Sequence, residues 1–216
     1  GRGLSQSDEL AMTTQLLSKF YLFTARPVDI SCVKMFARAV KPRTIAKGDY
    51  VTRKGDPGGT MYFVCEGTCA ACIAGEHLEM LTKGHCFGEI ALLNMVKSMA
   101  KGVSRAVAST ENTRTADIVA VEDSKLFELD VDVAKGLLRI SPNVLMTLED
   151  TVKRRNLSVQ QKINKDFSGG HGGPRCASYP ERPFERSSTD PDPSKSGRAA
   201  SAQSSSVASS SGSSFT

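Results

Sequence analysis

From Pro42 to Gly75 the chain alternates short β-prone runs with glycine-centred turns, a spacing few architectures accept. The runs are Thr44-Ile45, Tyr50-Val51, Met61-Tyr62-Phe63-Val64 and Cys72-Ile73, punctuated by Gly48-Asp49, Gly55-Asp56-Pro57-Gly58-Gly59, Gly67 and Gly75. Short strands between regular turns make a sandwich or a roll. With 39% hydrophobic residues in 216, the chain holds apolar material for one core of ordinary domain size plus an appendage.

Helical periodicity brackets this region. Leu10, Met12, Leu16, Leu17, Phe20 and Leu22 recur at near-helical spacing after a Ser-x-Asp-Glu start, predicting a helix from Ser7 to Phe23 that ends near Pro27. A second, Val28 to Ala39, has Asp29 as its cap and Ile30, Val33, Phe36 and Val40 as one stripe. Downstream, Thr115 to Val121 and Lys125 to Leu129 read as strands around a Glu122-Asp123 turn. Asp130 or Asp132 then caps a helix through Leu137-Leu138, which stops at Ser141 because Pro142 disfavours helix in its predecessor. A last helix, Asn143 to about Lys165, carries Val144, Leu145, Leu148, Val152, Leu157, Val159 and Ile163 on a partly apolar face.

The chemistry concentrates between these strands and helices. Phe87-Gly88-Glu89-Ile90-Ala91-Leu92-Leu93 is answered by Arg114-Thr115-Ala116-Asp117. Gly88 lets the backbone approach a ligand closely, and a short helix opening at Glu89 points unpaired N–H groups at whatever lies before it, a position that favours an anion. Arg114 adds a bidentate fork for a phosphate, while Glu89 is an acceptor suited to a ribose hydroxyl. A cyclic nucleotide carries both groups.

On these residues the chain, over roughly Leu10 to Lys165, resembles the cyclic-nucleotide-binding domain family, whose phosphate cassette reads F-G-E-[IL]-A-L followed by R-[TA]-A. Thr115, Leu93-Asn94 and the Leu126-Phe127-Glu128-Leu129 run are most similar to the cyclic-nucleotide-gated and hyperpolarisation-activated cation channels; kinase regulatory subunits usually carry Ala after the arginine. The resemblance implies an α+β fold: a jelly-roll-like β-roll with N-terminal helices and a C-terminal lid helix that closes over the nucleotide. It implies a site of Phe87, Gly88, Glu89, Ile90, Ala91, Arg114, Thr115 and Ala116. An ungapped register from Arg114 to Pro142, continued into the last helix, adds Arg155 and Val159 where the lid meets the purine. In that register Thr115 can offer its hydroxyl to the guanine amino group of cGMP. Val159 stands where cGMP-selective channels carry an acidic residue, and Arg155 resembles the lid arginine of cAMP-responsive ones.

The organisation expected is a helical lead-in over residues 1–23, the binding domain over 24–165, and a disordered Ser/Gly/Pro-rich tail over 166–216, whose composition cannot offset its ordering entropy. Arg155-Asn156-Leu157-Ser158 and Arg198-Ala199-Ala200-Ser201 have the spacing of basophilic kinase sites, a pattern frequent by chance. Residues 94–113 are more than the family pattern requires and, with Lys97, Lys101 and Arg105 among Ser, Gly and Asn, read as a solvated excursion on the rim of the pocket: a tolerated loop insertion, or else a positive rim that gathers a phosphate ligand.

Other classes fit poorly. The net charge of +5 is spread along the chain, so no nucleic-acid partner is expected, and no helix-turn-helix pattern follows the last helix. No run approaches the ~18 apolar residues of a spanning helix, so the chain as given is expected to be soluble, with any membrane part in missing sequence. Cys65, Cys69 and Cys72 with His85 or Cys86 offer soft ligands, but at a spacing unlike a zinc module; no metal or resident cofactor is expected, and a reducing, intracellular compartment fits the six cysteines. No catalytic constellation stands out, so the expectation is a regulatory module rather than an enzyme, on the cytoplasmic face of a membrane with other channel subunits as partners. A regulatory domain of a kinase or exchanger, or a channel assembly domain that has lost its ligand, are the alternatives.

Overall fold

The computed structural model describes residues 5–166. Helices α1 (Gln6–Leu17), α2 (Tyr21–Thr24) and α3 (Ile30–Ala39) precede strands β1 (Lys41–Ile45), β2 (Tyr50–Thr52), β3 (Thr60–Glu66), β4 (Thr68–Ile73), β5 (Glu76–Thr82) and β6 (Cys86–Phe87). Then come α4 (Glu89–Ala100), α5 (Arg105–Glu111), β7 (Asp117–Ala120), β8 (Ser124–Asp130), α6 (Val131–Ile140) and α7 (Pro142–Asp166). The strands form two four-stranded antiparallel sheets, ordered β1-β8-β3-β6 and β2-β7-β4-β5. The glycine-punctuated runs imply a sandwich or a roll, and the structure is the β-roll with flanking helices that the family resemblance implies.

Strand pleat splits the core in two. Met61 and Phe63 on β3 face the helices and join Leu17, Phe20, Phe36, Leu92 and Leu148. Tyr62 and Val64, alternating with them, face the inside of the roll with Val51, Ala71, Leu81, Phe87 and Leu126. The helical core includes Val144, Leu148 and Val152, so the base of α7 is fixed to the body of the domain. Arg26–Asp150 at 2.7 Å and Lys97–Glu149 at 2.8 Å add polar ties to the same turns.

Helix ends follow the side chains. Asp29 caps α3 by accepting from Ser31 N at 2.7 Å, Asp130 caps α6 by accepting from Asp132 N at 2.9 Å, and Pro142 opens α7 where its missing N–H costs nothing. The expected continuous helix to Phe23 is broken. Phe20 leaves the helix in an extended conformation, placing its ring edge-on to Phe63 with centroids 5.3 Å apart. The core contact outweighs helix continuation there.

The expectation for residues 94–113 is also corrected: they are two helices rather than a solvated loop. Helix α4 runs on from the short piece expected at Glu89 because Met95 is buried and Val96 and Met99 pack on the helical core. Gly102, at φ 90°, reverses the chain in a left-handed conformation, and Ser104 then caps α5, whose Ala108 is fully buried. Nor do its cations form a rim. Lys97 pairs with Glu149 and Arg105 with Asp130 and Asp132, and none of Lys97, Lys101 and Arg105 borders the cavity described below. The tail expected from 166 onward lies, Asp166 apart, outside the described residues, as does Ser201.

Candidate ligand-binding site

A cavity of about 600 Å³ opens between the inner face of the roll, the start of α4 and the underside of α7. Its floor is the meeting of β6 and α4 at Gly88. This residue takes φ 80° as the N-cap of α4, and a Cβ there would stand 2.8 Å from both Arg114 Nη1 and the Thr60 carbonyl oxygen. Only glycine meets both demands. With no side chain capping α4, the N–H groups of its first turn are left for another acceptor.

Arg114 sits against this corner, 7% exposed. Its Nη1 donates to the Thr60 carbonyl at 2.6 Å and, more weakly, to that of Gly88 at 3.5 Å, and its guanidinium lies 5.8 Å from the Tyr62 ring centroid. Among the described residues no carboxylate comes within ion-pairing distance of it. Burial therefore pulls its pKa below the ordinary arginine value, against the weaker pull of Tyr62, Asp56 and Glu89. A desolvated cation beside helix N–H groups is a place for an anion.

Glu89, the first residue of α4, is buried, and Arg155 of α7 forms an ion pair with it, Nη1 standing 2.7 Å from its Oε1. Arg155 also donates Nη1 to the Cys86 carbonyl at 2.8 Å and pairs through Nε with Glu79 of β5 at 3.2 Å. Burial disfavours its charge, but the carboxylates of Glu89 first and then Glu79 hold its pKa above the ordinary value. Burial, reinforced by Glu89, pushes the Cys86 thiol up to about 12, so it stays protonated and is no nucleophile at neutral pH.

Every residue read from the sequence as part of the site borders this one cavity: Phe87, Gly88, Glu89, Ile90, Ala91, Arg114, Thr115, Ala116, Arg155 and Val159. Phe87 also stacks on Tyr62, centroids 5.1 Å apart, tying the cassette to the roll. Arg155 and Val159 share a face of α7 and reach the cavity from above. Sequence reasoning missed Glu79, and with it Ala71, Ile73 and Leu78 on the wall. The available signal was alternation: Glu79 shares a strand face with Leu81, which is buried inside the roll. The cysteines considered as metal ligands lie in strands with Cys65, Cys69 and Cys72 buried, and among the described residues no three His, Cys, Asp or Glu side chains gather as a metal site.

The corner built by Gly88, Glu89 and Arg114 falls inside a stretch, residues 42–141, that matches the sequence profile of the cyclic nucleotide-binding domain. These residues form a cyclic nucleotide-binding domain. The chain is 34% identical over 134 residues to a cyclic nucleotide-gated cation channel of Ictalurus punctatus, covering 61% of this chain and 18% of that one. It is 34% identical over 114 residues to the cyclic nucleotide-gated channel alpha-2 of Homo sapiens, covering 51% and 16%. With alpha-4 of Mus musculus the match is 28% over 162 residues, 73% and 25%. The chain thus spans a quarter or less of the length of these relatives. In fold it is similar to cAMP-bound PfPKA-R, with TM-score 0.58 at 21% identity over 74% of this chain and 48% of that one. It is similar also to a PKAR CBD2 bound to Sp-2Cl-cAMPS, with TM-score 0.56 at 21% identity over 76% and 95%. Among the described residues no helix is long and apolar enough to cross a membrane.

Proposed function

We propose that this chain is the regulatory, ligand-binding part of a cyclic-nucleotide-regulated cation channel and binds cAMP at least as tightly as cGMP. The observation that carries the reading is Arg114, a buried guanidinium with no carboxylate partner among the described residues, set against the open first turn of α4. The ligand's phosphate is held by Arg114, Thr115 and the backbone N–H groups near Gly88 and Ala91, and its ribose hydroxyl by Glu89. Arg155 and Val159 meet the base from α7, with Ile90, Ala116 and Phe87 shaping the walls. The binding unit is residues 24–165, preceded by the helical lead-in 1–23. Its place is the cytoplasmic face of a membrane, and its partners are other subunits of a channel.

Closure of α7 over the base shifts an attached gate only by the difference in ligand affinity between the gate's two conformations. The similarity to channels, at 34% identity, supports the channel reading over a kinase or exchanger subunit, since the likeness to kinase regulatory subunits at 21% speaks only to the fold. Titration calorimetry of the chain with cAMP and with cGMP tests the proposal. Binding at micromolar or tighter dissociation constants is expected; no heat with either nucleotide at millimolar concentration overturns it.

A further inference from the structure

The Arg155–Glu89 pair sets a cation of the chain itself on the carboxylate assigned to the ribose. The Glu89 side chain is 2% exposed, and Arg155 Nη1 stands 2.7 Å from its Oε1. A ligand hydroxyl that donates to Oε1 of this carboxylate must come in where Arg155 already lies. Stripping Arg155 away would leave a cation that is itself only 20% exposed without its partner, an expensive step. A second carboxylate removes that obstacle. Glu79, on β5 and 42% exposed, already takes Arg155 Nε at 3.2 Å and Nη2 at 3.4 Å.

We infer that Glu79 is a working residue of the binding site: it keeps Arg155 paired when a ligand's 2′-hydroxyl takes over Glu89, so binding proceeds by exchange of partners. The inference rests on the assignment of Glu89 to the ribose. It makes Glu79 a positioning residue, acting on the ligand through Arg155. It also has a measurable signature in how much the 2′-hydroxyl is worth. In the wild-type chain the bond gained by that hydroxyl at Glu89 is offset by the ion pair given up there. Without Arg155 the full value of the hydroxyl emerges. Without Glu79 the exchange becomes costlier, and the penalty falls on the ligand that demands it.

Calorimetric dissociation constants for cAMP and 2′-deoxy-cAMP, measured on the wild-type chain, Arg155→Met and Glu79→Gln, test this. The ratio of the 2′-deoxy-cAMP constant to the cAMP constant is expected to rise by about fivefold or more in Arg155→Met, within the usual coupling between contacting groups. In Glu79→Gln the ratio is expected to fall, through weaker cAMP binding with 2′-deoxy-cAMP little changed. An equal or smaller ratio in Arg155→Met means that arginine and ribose share Glu89 without competing, and overturns the exchange. An unchanged ratio in Glu79→Gln overturns the role of Glu79, and because that side chain is half-exposed this arm decides alone if Arg155→Met fails to fold. Loss of binding of both cAMP and cGMP by the wild-type chain is a different result: it overturns the functional reading, and the exchange with it.

Discussion

Arg114 combines burial with carbonyl partners, and the two requirements pull its design in one direction. A cation this desolvated destabilises the fold unless something anionic completes its shell, so its contribution is expected in binding rather than in folding. Arg114→Ala should therefore weaken cyclic-nucleotide binding by roughly 2–5 kcal/mol, the usual loss when one partner of a buried charge pair is truncated. Calorimetry measures the loss, with urea unfolding to confirm that the variant is folded; an unchanged dissociation constant would place the ligand elsewhere. Gly88 has the opposite profile, because its φ of 80° and its approach to the Thr60 carbonyl are features of the fold itself. Gly88→Ala should cost about 1–3 kcal/mol of stability from backbone strain, with further loss from the clash, seen as a lower urea midpoint.

At the level of elements, α4 and α5 separate what local pattern reveals from what it hides. Met95→Ala tests their status: a buried methionine in a packed helix should cost about 2–5 kcal/mol in urea unfolding, whereas a side chain on a solvated loop would stay within about 0.5 kcal/mol. The glycine-punctuated strands, the Asp29 and Asp130 caps and the stop at Pro142 were legible because each depends on neighbours in sequence. The extension of α4 was legible in part, since Leu92, Met95, Val96 and Met99 keep helical spacing, but the interleaved Asn, Lys and Ser residues obscured it. The break at Phe20 was not, because it depends on Phe63, a partner across the core. The pairing of Arg155 with Glu79 and Glu89 was hidden for the same reason: strand, cassette and lid meet only once the roll is closed. On α7, Val159 borders the cavity and would offer the base of a bound nucleotide apolar contact alone. Val159→Asp adds an acceptor for the guanine edge worth on the order of 1 kcal/mol and should move preference toward cGMP in competition titrations. A wild-type chain that prefers cGMP by more than about tenfold would refute the lid assignment.

For the domain as a whole, the ligand would touch three parts held together by different contacts. The roll and cassette share the inner core through Phe87 and Tyr62, while α7 is anchored at its base by Leu148, Val152 and the Arg26–Asp150 pair. Beyond that base, the approach of α7 to the roll runs through the Arg155 pairs with Glu79 and Glu89 and the Cys86 carbonyl. A nucleotide bound to Arg114 and under Arg155 bridges these parts, so unfolding must expel it. At a free concentration of about 100 times the dissociation constant this linkage adds ~2.7 kcal/mol. For a domain of this size that corresponds to a rise in melting temperature on the order of 5–10 °C. Thermal unfolding with increasing cAMP should show the rise in the wild-type chain and lose most of it in Arg114→Ala at the same concentrations. An equal rise in both proteins would mean that the stabilising ligand does not engage the Arg114 corner.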